Sequence, residues 1–203
     1  KTGVWPISLE IAGARLSLNQ DGSVQLQVGA TEIGQGADTV FSQMAAETLH
    51  MDISRVHIVT QQDTDVTPFD TGAYASRQSF VTGTAVKECA QQLKQKILEY
   101  ARTLVPGNVD RLELEDGYIL ADGKPAISLE DLAMESYYSL SNSSVLTAEV
   151  SRQVKKNTVA SGCCFAEVEV DMKLGKIKVL DIVNVHDSGT LLNPQLAAMQ
   201  VHG

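Results

Sequence analysis

The chain has 203 residues, of which 43% are hydrophobic and 20% charged. Those fractions exclude a globally disordered chain, and the length suffices for a sizeable core. Lys and Arg number 16 against 25 Asp and Glu, a formal net charge of −9, which argues against a sequence-independent nucleic-acid binder and against docking on an anionic membrane.

No stretch is apolar for the roughly 18 residues of a membrane span, and no basic-then-apolar leader opens the chain. The sequence starts Lys1-Thr2-Gly3 without a Met and stops at Val201-His202-Gly203, inside what reads as an element. It therefore reads as a piece of a longer protein. Cys89, Cys163 and Cys164 form an odd set without a C-x-x-C pair, which reads as reduced thiols of a cytoplasmic protein rather than a disulfide framework.

Residues 14–28 alternate apolar and polar around Asn19-Gln20-Asp21-Gly22, which predicts a hairpin. A Gly-rich turn follows, Gly29 to Gly36. Phe41, Met44, Ala45, Thr48 and Leu49 then fall at helical spacing, with Asp38 placed to cap that helix. Val56 to Thr60 reads as a short strand and 61–78 as a polar loop. Val81, Ala85, Cys89, Leu93, Ile97 and Ala101 recur every four residues, predicting a long amphipathic helix that ends near Pro106-Gly107. A hairpin around Asp116-Gly117 and a capping box at Ser128-Leu129-Glu130-Asp131 come next. Residues 139–160, rich in Ser, Asn and Lys, read as a long connection or mobile segment. Ala166, Val168 and Val170 alternate with Glu167, Glu169 and Asp171, turn at Leu174-Gly175 and return over Ile177 to Val185; Asn193-Pro194 starts a last helix. Cys163 and Cys164 would lie half-buried in this hairpin.

Hairpin-linked strands with interspersed helices predict an α/β fold of α+β character, two-layered, with mixed sheets and helices on one face. The expected division is a first lobe over 1–140, a connection over 141–161, and the start of a second lobe over 162–203.

Two loops carry the candidate chemistry. Gly29 and Gly34 have the spacing of a P-loop, but Gln35 and Gly36 stand where it needs Lys and Ser or Thr, which excludes a nucleoside triphosphatase. The glycines would still let the backbone approach a ligand, and the following helix N-terminus would attract an anion. The second loop runs through Gly72-Ala73-Tyr74-Ala75-Ser76-Arg77-Gln78 and offers donors for phosphate or carbonyl oxygens. Either loop could instead be an ordinary turn feeding a helix. His50, His57, His186 and His202 show no zinc-ligand spacing, and no Ser-His-Asp order or G-x-S-x-G is readable.

Five motifs stand in order: Ala30-Thr31-Glu32-Ile33-Gly34-Gln35-Gly36, Ala75-Ser76-Arg77, Gly83-Thr84-Ala85-Val86, Asp187-Ser188-Gly189-Thr190-Leu191-Leu192-Asn193-Pro194 and Gln200-Val201-His202-Gly203. Together they resemble the xanthine oxidase/aldehyde oxidase family of molybdenum hydroxylases, in its bacterial xanthine dehydrogenase branch. The resemblance implies the molybdopterin-binding domain of an enzyme that hydroxylates a purine, such as hypoxanthine or xanthine, with oxygen from water. It implies molybdopterin as cofactor, alone or as its cytosine dinucleotide. Gln35, flanked by Gly34 and Gly36, would bond the pterin. Ala75 would flank the metal, and Ser76, Arg77 and Gln78 would contact the pterin or its phosphates. Gln200 would begin a further cofactor loop, while Asp187 and Asn193 would shape a turn. No side chain would ligate molybdenum. The general-base glutamate would lie beyond Gly203, leaving this chain alone inactive. Electrons would pass to 2Fe-2S and FAD on partner subunits, and a homo-oligomer is one assembly the resemblance allows. The alternatives are a non-enzymatic molybdopterin-binding module and a hydroxylase of aldehydes or nicotinate.

Overall fold

Strict alternation builds the first layer. In β1 (Ile11–Leu18), Ala12, Ala14, Leu16 and Leu18 point to one face and are fully buried. β2 (Val24–Val28) pairs antiparallel with β1 and adds Val24, Leu26 and Val28 to that face. The other face is polar, with Arg15 on Glu149 at 2.8 Å and the Ser17 and Thr147 hydroxyls 3.0 Å apart. The computed structural model describes residues 9–156 and 158–202, and these form two compact units, 9–156 and 158–202.

In the first unit, α1 (Ala37–Leu49) leads through a 3-10 turn at Ile53–Arg55 into β3 (Val56–Ile58), which runs parallel to β2. α2 (Gln78–Leu104) spans 27 residues and buries Val81, Ala85, Cys89, Leu93 and Ile97, as the four-residue repeat predicts. The main sheet has the order β3-β2-β1-β7, where β7 is Thr147–Gln153, and is mixed in direction, with α1 and α2 packed on its apolar face. The two-layer mixed architecture is the predicted one.

β7 (Thr147–Gln153) is a correction. Composition predicts a connection over 141–161, yet β7 pairs with β1 through seven residues and buries Ala148 and Val150. The first unit therefore runs on through residue 156 instead of ending at 140. Only Leu146, Ala148 and Val150 carry the period-2 signal, and Ser- and Lys-rich flanks mask it.

A small sheet of β4 (Leu112–Glu115), β5 (Tyr118–Ala121) and β6 (Lys124–Ser128) follows. Asp116-Gly117 and Asp122-Gly123 each take positive φ at both positions, the geometry of tight hairpin turns. β6 is absent from the sequence reading because it is an edge strand carrying Lys124 and Pro125. α3 (Leu129–Tyr138) starts at the predicted capping box: the Ser128 hydroxyl accepts from Asp131 N–H at 3.0 Å and donates to the Asp131 carboxylate at 2.6 Å. Ser128→Ala is expected to cost about 1 kcal/mol, read as a shift in urea midpoint at unchanged slope.

The second unit holds the hairpin of β8 (Ser161–Asp171) and β9 (Lys176–Asp187), then α4 (Pro194–His202). A bulge near Glu167/Val168 shifts the register. Beyond it Glu169 faces Lys178 and Asp171 faces Lys176, while Val168 faces Val179 and Val170 faces Ile177. Cys163 and Cys164 are exposed rather than half-buried. Among the described residues, no helix is long and apolar enough to cross a membrane.

Candidate functional site

The Gly-rich turn comes off β2 and is fixed from behind at Gly29. A Cβ there would lie 2.0 Å from the Pro68 carbonyl oxygen and 2.9 Å from the Asp70 nitrogen. A Cβ at Gly13 would meet the same segment, 2.7 Å from Pro68 Cβ, and Asp70 bridges to Ala12 of β1. The absence of side chains at Gly13 and Gly29 thus lays the 68–70 segment against β1 and β2. Gly29 serves packing between loops; Gly34 and Gly36 have φ of 98° and 85°, which glycine adopts without strain.

The sequence reading leaves the amides at the start of α1 for an anion. The structure gives them to Glu32. Its carboxylate accepts from the N–H of Gly34 at 2.8 Å, of Gly36 at 3.0 Å and of Asp38 at 3.0 Å. Asp38, the expected cap, makes no capping bond: Gly36 is the N-cap, and Asp38 sits in the first turn with Oδ1 buried and unpartnered. Burial and the neighbouring Glu32 charge push the Asp38 carboxyl up. Burial also pushes Glu32 up, but the amides of Asp38, Gly36, Gly34 and Ala37 outweigh it and hold Glu32 below its ordinary 4.5. A depressed carboxyl adds stability above its unfolded value, and that stability is lost as pH falls through the folded one. Urea midpoints followed from about pH 6 to 3 are therefore expected to fall less steeply in Glu32→Gln than in the parent chain; parallel curves would refute the assignment.

The second loop meets the first through two carboxamides. Gln35 Nε2 donates to Gln78 Oε1 and, at 3.0 Å, to the Thr31 carbonyl; Gln78 Nε2 reaches the same carbonyl at 3.2 Å. Gln35 Oε1 accepts from Ile33 N–H at 2.6 Å. Two segments 43 residues apart are thereby joined at the start of α2.

Ala75 and Ser76 are exposed and both left-handed, with φ of 49° and 54°. Successive non-glycine residues in this region are costly and mark a held conformation. Among the described residues, the loop's backbone bond Arg77 N–H to Tyr74 C=O leaves the Ala75 and Ser76 amides out.

Arg77, expected to contact the pterin or its phosphates, has a fully buried side chain. Nε donates to Glu10 at 2.7 Å, Nη1 to Asp70 and to the Gly72 carbonyl at 2.9 Å, and Nη2 to the Ile11 carbonyl at 2.8 Å. Asp70 also accepts from Gly72 N–H at 2.8 Å and from the Thr82 hydroxyl at 2.7 Å. Burial pushes the guanidinium down, but its bonds to Glu10 and Asp70 outweigh this and hold it above its usual range. Sequence reasoning missed Glu10 and Asp70. Nothing local ties Glu10 to Arg77, 67 residues away.

Gln200 lies on α4 of the second unit and is exposed. Asp187 accepts from Gly189 N–H and Asn193 from Leu196 N–H, both at 3.0 Å, so each shapes its turn. Cys89 is buried in α2, its thiol pushed up to about 11 by burial. Among the described residues, no group of three or more His, Cys, Asp or Glu is arranged to hold a metal.

A family model described as "Molybdopterin cofactor-binding domain" matches residues 2–203. The xanthine dehydrogenase molybdenum-binding subunit of Escherichia coli O157:H7 is 49% identical over all of this chain, which spans 27% of that relative's length. The nicotine 6-hydroxylase large subunit of Paenarthrobacter nicotinovorans is 24% identical over 94% of the chain and 24% of its own length. The structure of reconstituted CO dehydrogenase from Oligotropha carboxidovorans superposes with a TM-score of 0.80 at 26% identity, over 94% of this chain and 24% of that one. With residues 2–203 matched by one family model and 49% of residues identical in a relative, the chain belongs to the molybdopterin cofactor-binding domain family.

Proposed function

We propose that the chain is the cofactor-holding part of a molybdenum hydroxylase of xanthine dehydrogenase type. The observation that carries the reading is the meeting of two separate loops at Gln35 and Gln78, in a chain 49% identical to a xanthine dehydrogenase subunit throughout. The residues fit a molybdopterin. A pterin ring offers neutral N–H donors and N or O acceptors along its edge. Carboxamides and exposed amides complement that pattern without charge, and the orphaned Asp38 Oδ1 is an acceptor awaiting a donor.

Gly34, Gln35 and Gly36 would hold the pterin from one side. Gln78 and the backbone of Ala75 and Ser76 would hold it from the other, with Ala75 beside the metal. Gln200, on α4, would begin a further cofactor loop of its own. The start of α2, left free of carboxylates in its first turn, suits the pterin phosphate better than the start of α1, which Glu32 fills. When bound, the molybdenum centre supplies two-electron oxidation of a carbon–hydrogen bond with oxygen from water. This chain's part is to bind and orient the cofactor.

In this reading the substrate is a purine, the site is cytoplasmic, and electrons leave to iron–sulfur and FAD partner subunits. Support for the partners comes from the relatives, which include a xanthine dehydrogenase molybdenum-binding subunit and a nicotine 6-hydroxylase large subunit. The cytosine dinucleotide form of the pterin is compatible with the same loops.

The test is xanthine-dependent dye reduction by the whole assembled enzyme. Gln35→Ala, which removes the carboxamide joining the loops, is expected to lower it about 10–100-fold together with bound pterin. Unchanged turnover and pterin content would overturn the reading.

A further inference from the structure

We propose that Arg77 is a positioning residue: its buried guanidinium holds the left-handed Ala75–Ser76 backbone in the shape that receives the pterin. The inference rests on the cofactor reading above and goes beyond it by assigning Arg77 a role without ligand contact. Three observations carry it.

First, direction alternates along four consecutive residues. Ala75 and Ser76 are exposed while Arg77 and Gln78 are buried, so the two long side chains that follow the left-handed pair are turned inward. Second, the guanidinium ties four separate points of the chain together. It holds Glu10 and Ile11 at the start of β1, and Asp70 and Gly72 earlier in the loop. Its plane also lies 5.4 Å from the centre of the Tyr74 ring, so the residue preceding the left-handed pair is fixed as well. Third, the held conformation is unfavourable by itself. Two non-glycine residues at φ of 49° and 54° crowd their Cβ against the backbone, and such strain persists only where surrounding bonds over-determine it. The fork geometry matters because a Lys ammonium in the same place keeps the charge and cannot reach four acceptors in fixed directions.

The experiment uses the full-length parent subunit purified with its partners. Pterin is counted per subunit by fluorescence after oxidative release, and melting is followed on subunit made without molybdenum cofactor. Arg77→Lys keeps the charge opposite Glu10 and Asp70. It is expected to yield folded subunit carrying about 10-fold less pterin. Leu132→Ala, a core change in α3 away from both loops, serves as a control: lowered melting with parental pterin content. Should Arg77→Lys not accumulate as folded subunit, Arg77→Lys with Glu10→Gln is read in the same way.

Parental pterin content in the Arg77 variant would overturn the proposal. So would equal pterin loss in Leu132→Ala, since the effect would then follow stability alone. If Gln35→Ala loses pterin while Arg77→Lys keeps it, the cofactor reading stands and this proposal falls. A parental subunit without pterin would overturn both.

Discussion

Asp70→Ala is expected to destabilise the fold by about 3–5 kcal/mol, the cost of breaking a buried ion pair from one side. Asp70 accepts from Arg77, from Gly72 N–H and from the Thr82 hydroxyl. Its removal strands three donors, and the guanidinium keeps Glu10 as its one carboxylate partner among the described residues. The charges themselves contribute little net stability, because desolvation offsets most of their attraction; the loss comes from leaving one side uncompensated. The check is the urea midpoint at constant slope. A loss below about 1 kcal/mol would mean the cluster behaves as a surface ion pair.

Gly29→Val is expected to cost about 3 kcal/mol or more, at or above the upper end of overpacking effects. The neighbour is the Pro68 carbonyl, 2.0 Å from where the Cβ would stand, and backbone cannot rotate aside as a side chain could. Residues 68–70 must lift from β1 and β2, carrying Asp70 away from Arg77. The two substitutions should therefore couple: Gly29→Val with Asp70→Ala is expected to lose clearly less than the sum of the two alone. Additive losses would show that the loop and the ion cluster are independent.

The sheet and helices were legible where periodicity was long. The alternation of 14–28 and the four-residue repeat of 81–101 each bury one face, and hydrophobic burial alone selects that arrangement. β7 and β6 were not legible. β7 has two apolar residues, Ala148 and Val150, among polar ones, and β6 is an edge strand whose outer face needs none. The site divides similarly. Gln35 and Gln78 could be picked as polar groups beside glycines and a helix start. Their contact could not, because it depends on Gly13 and Gly29 admitting the 68–70 segment. Glu32 and Arg77 show the opposite limit. A carboxylate two residues before Gly34 can fold back on the amides it precedes, and an arginine between exposed and buried positions takes its direction from tertiary packing. Residue type suggested an open anion site and a phosphate-binding arginine. The hydrogen bonds show a self-capped helix and an internal clamp.

The most direct measurement is a crystal structure of the pterin-loaded parent subunit. The account predicts pterin density against Gln35, Gln78 and the backbone of Ala75–Ser76, with the Arg77 guanidinium still on Glu10 and Asp70 and Glu32 still on the amides of α1. Pterin or its phosphate bonded to the Arg77 side chain, or seated on the α1 amides in place of Glu32, would contradict it.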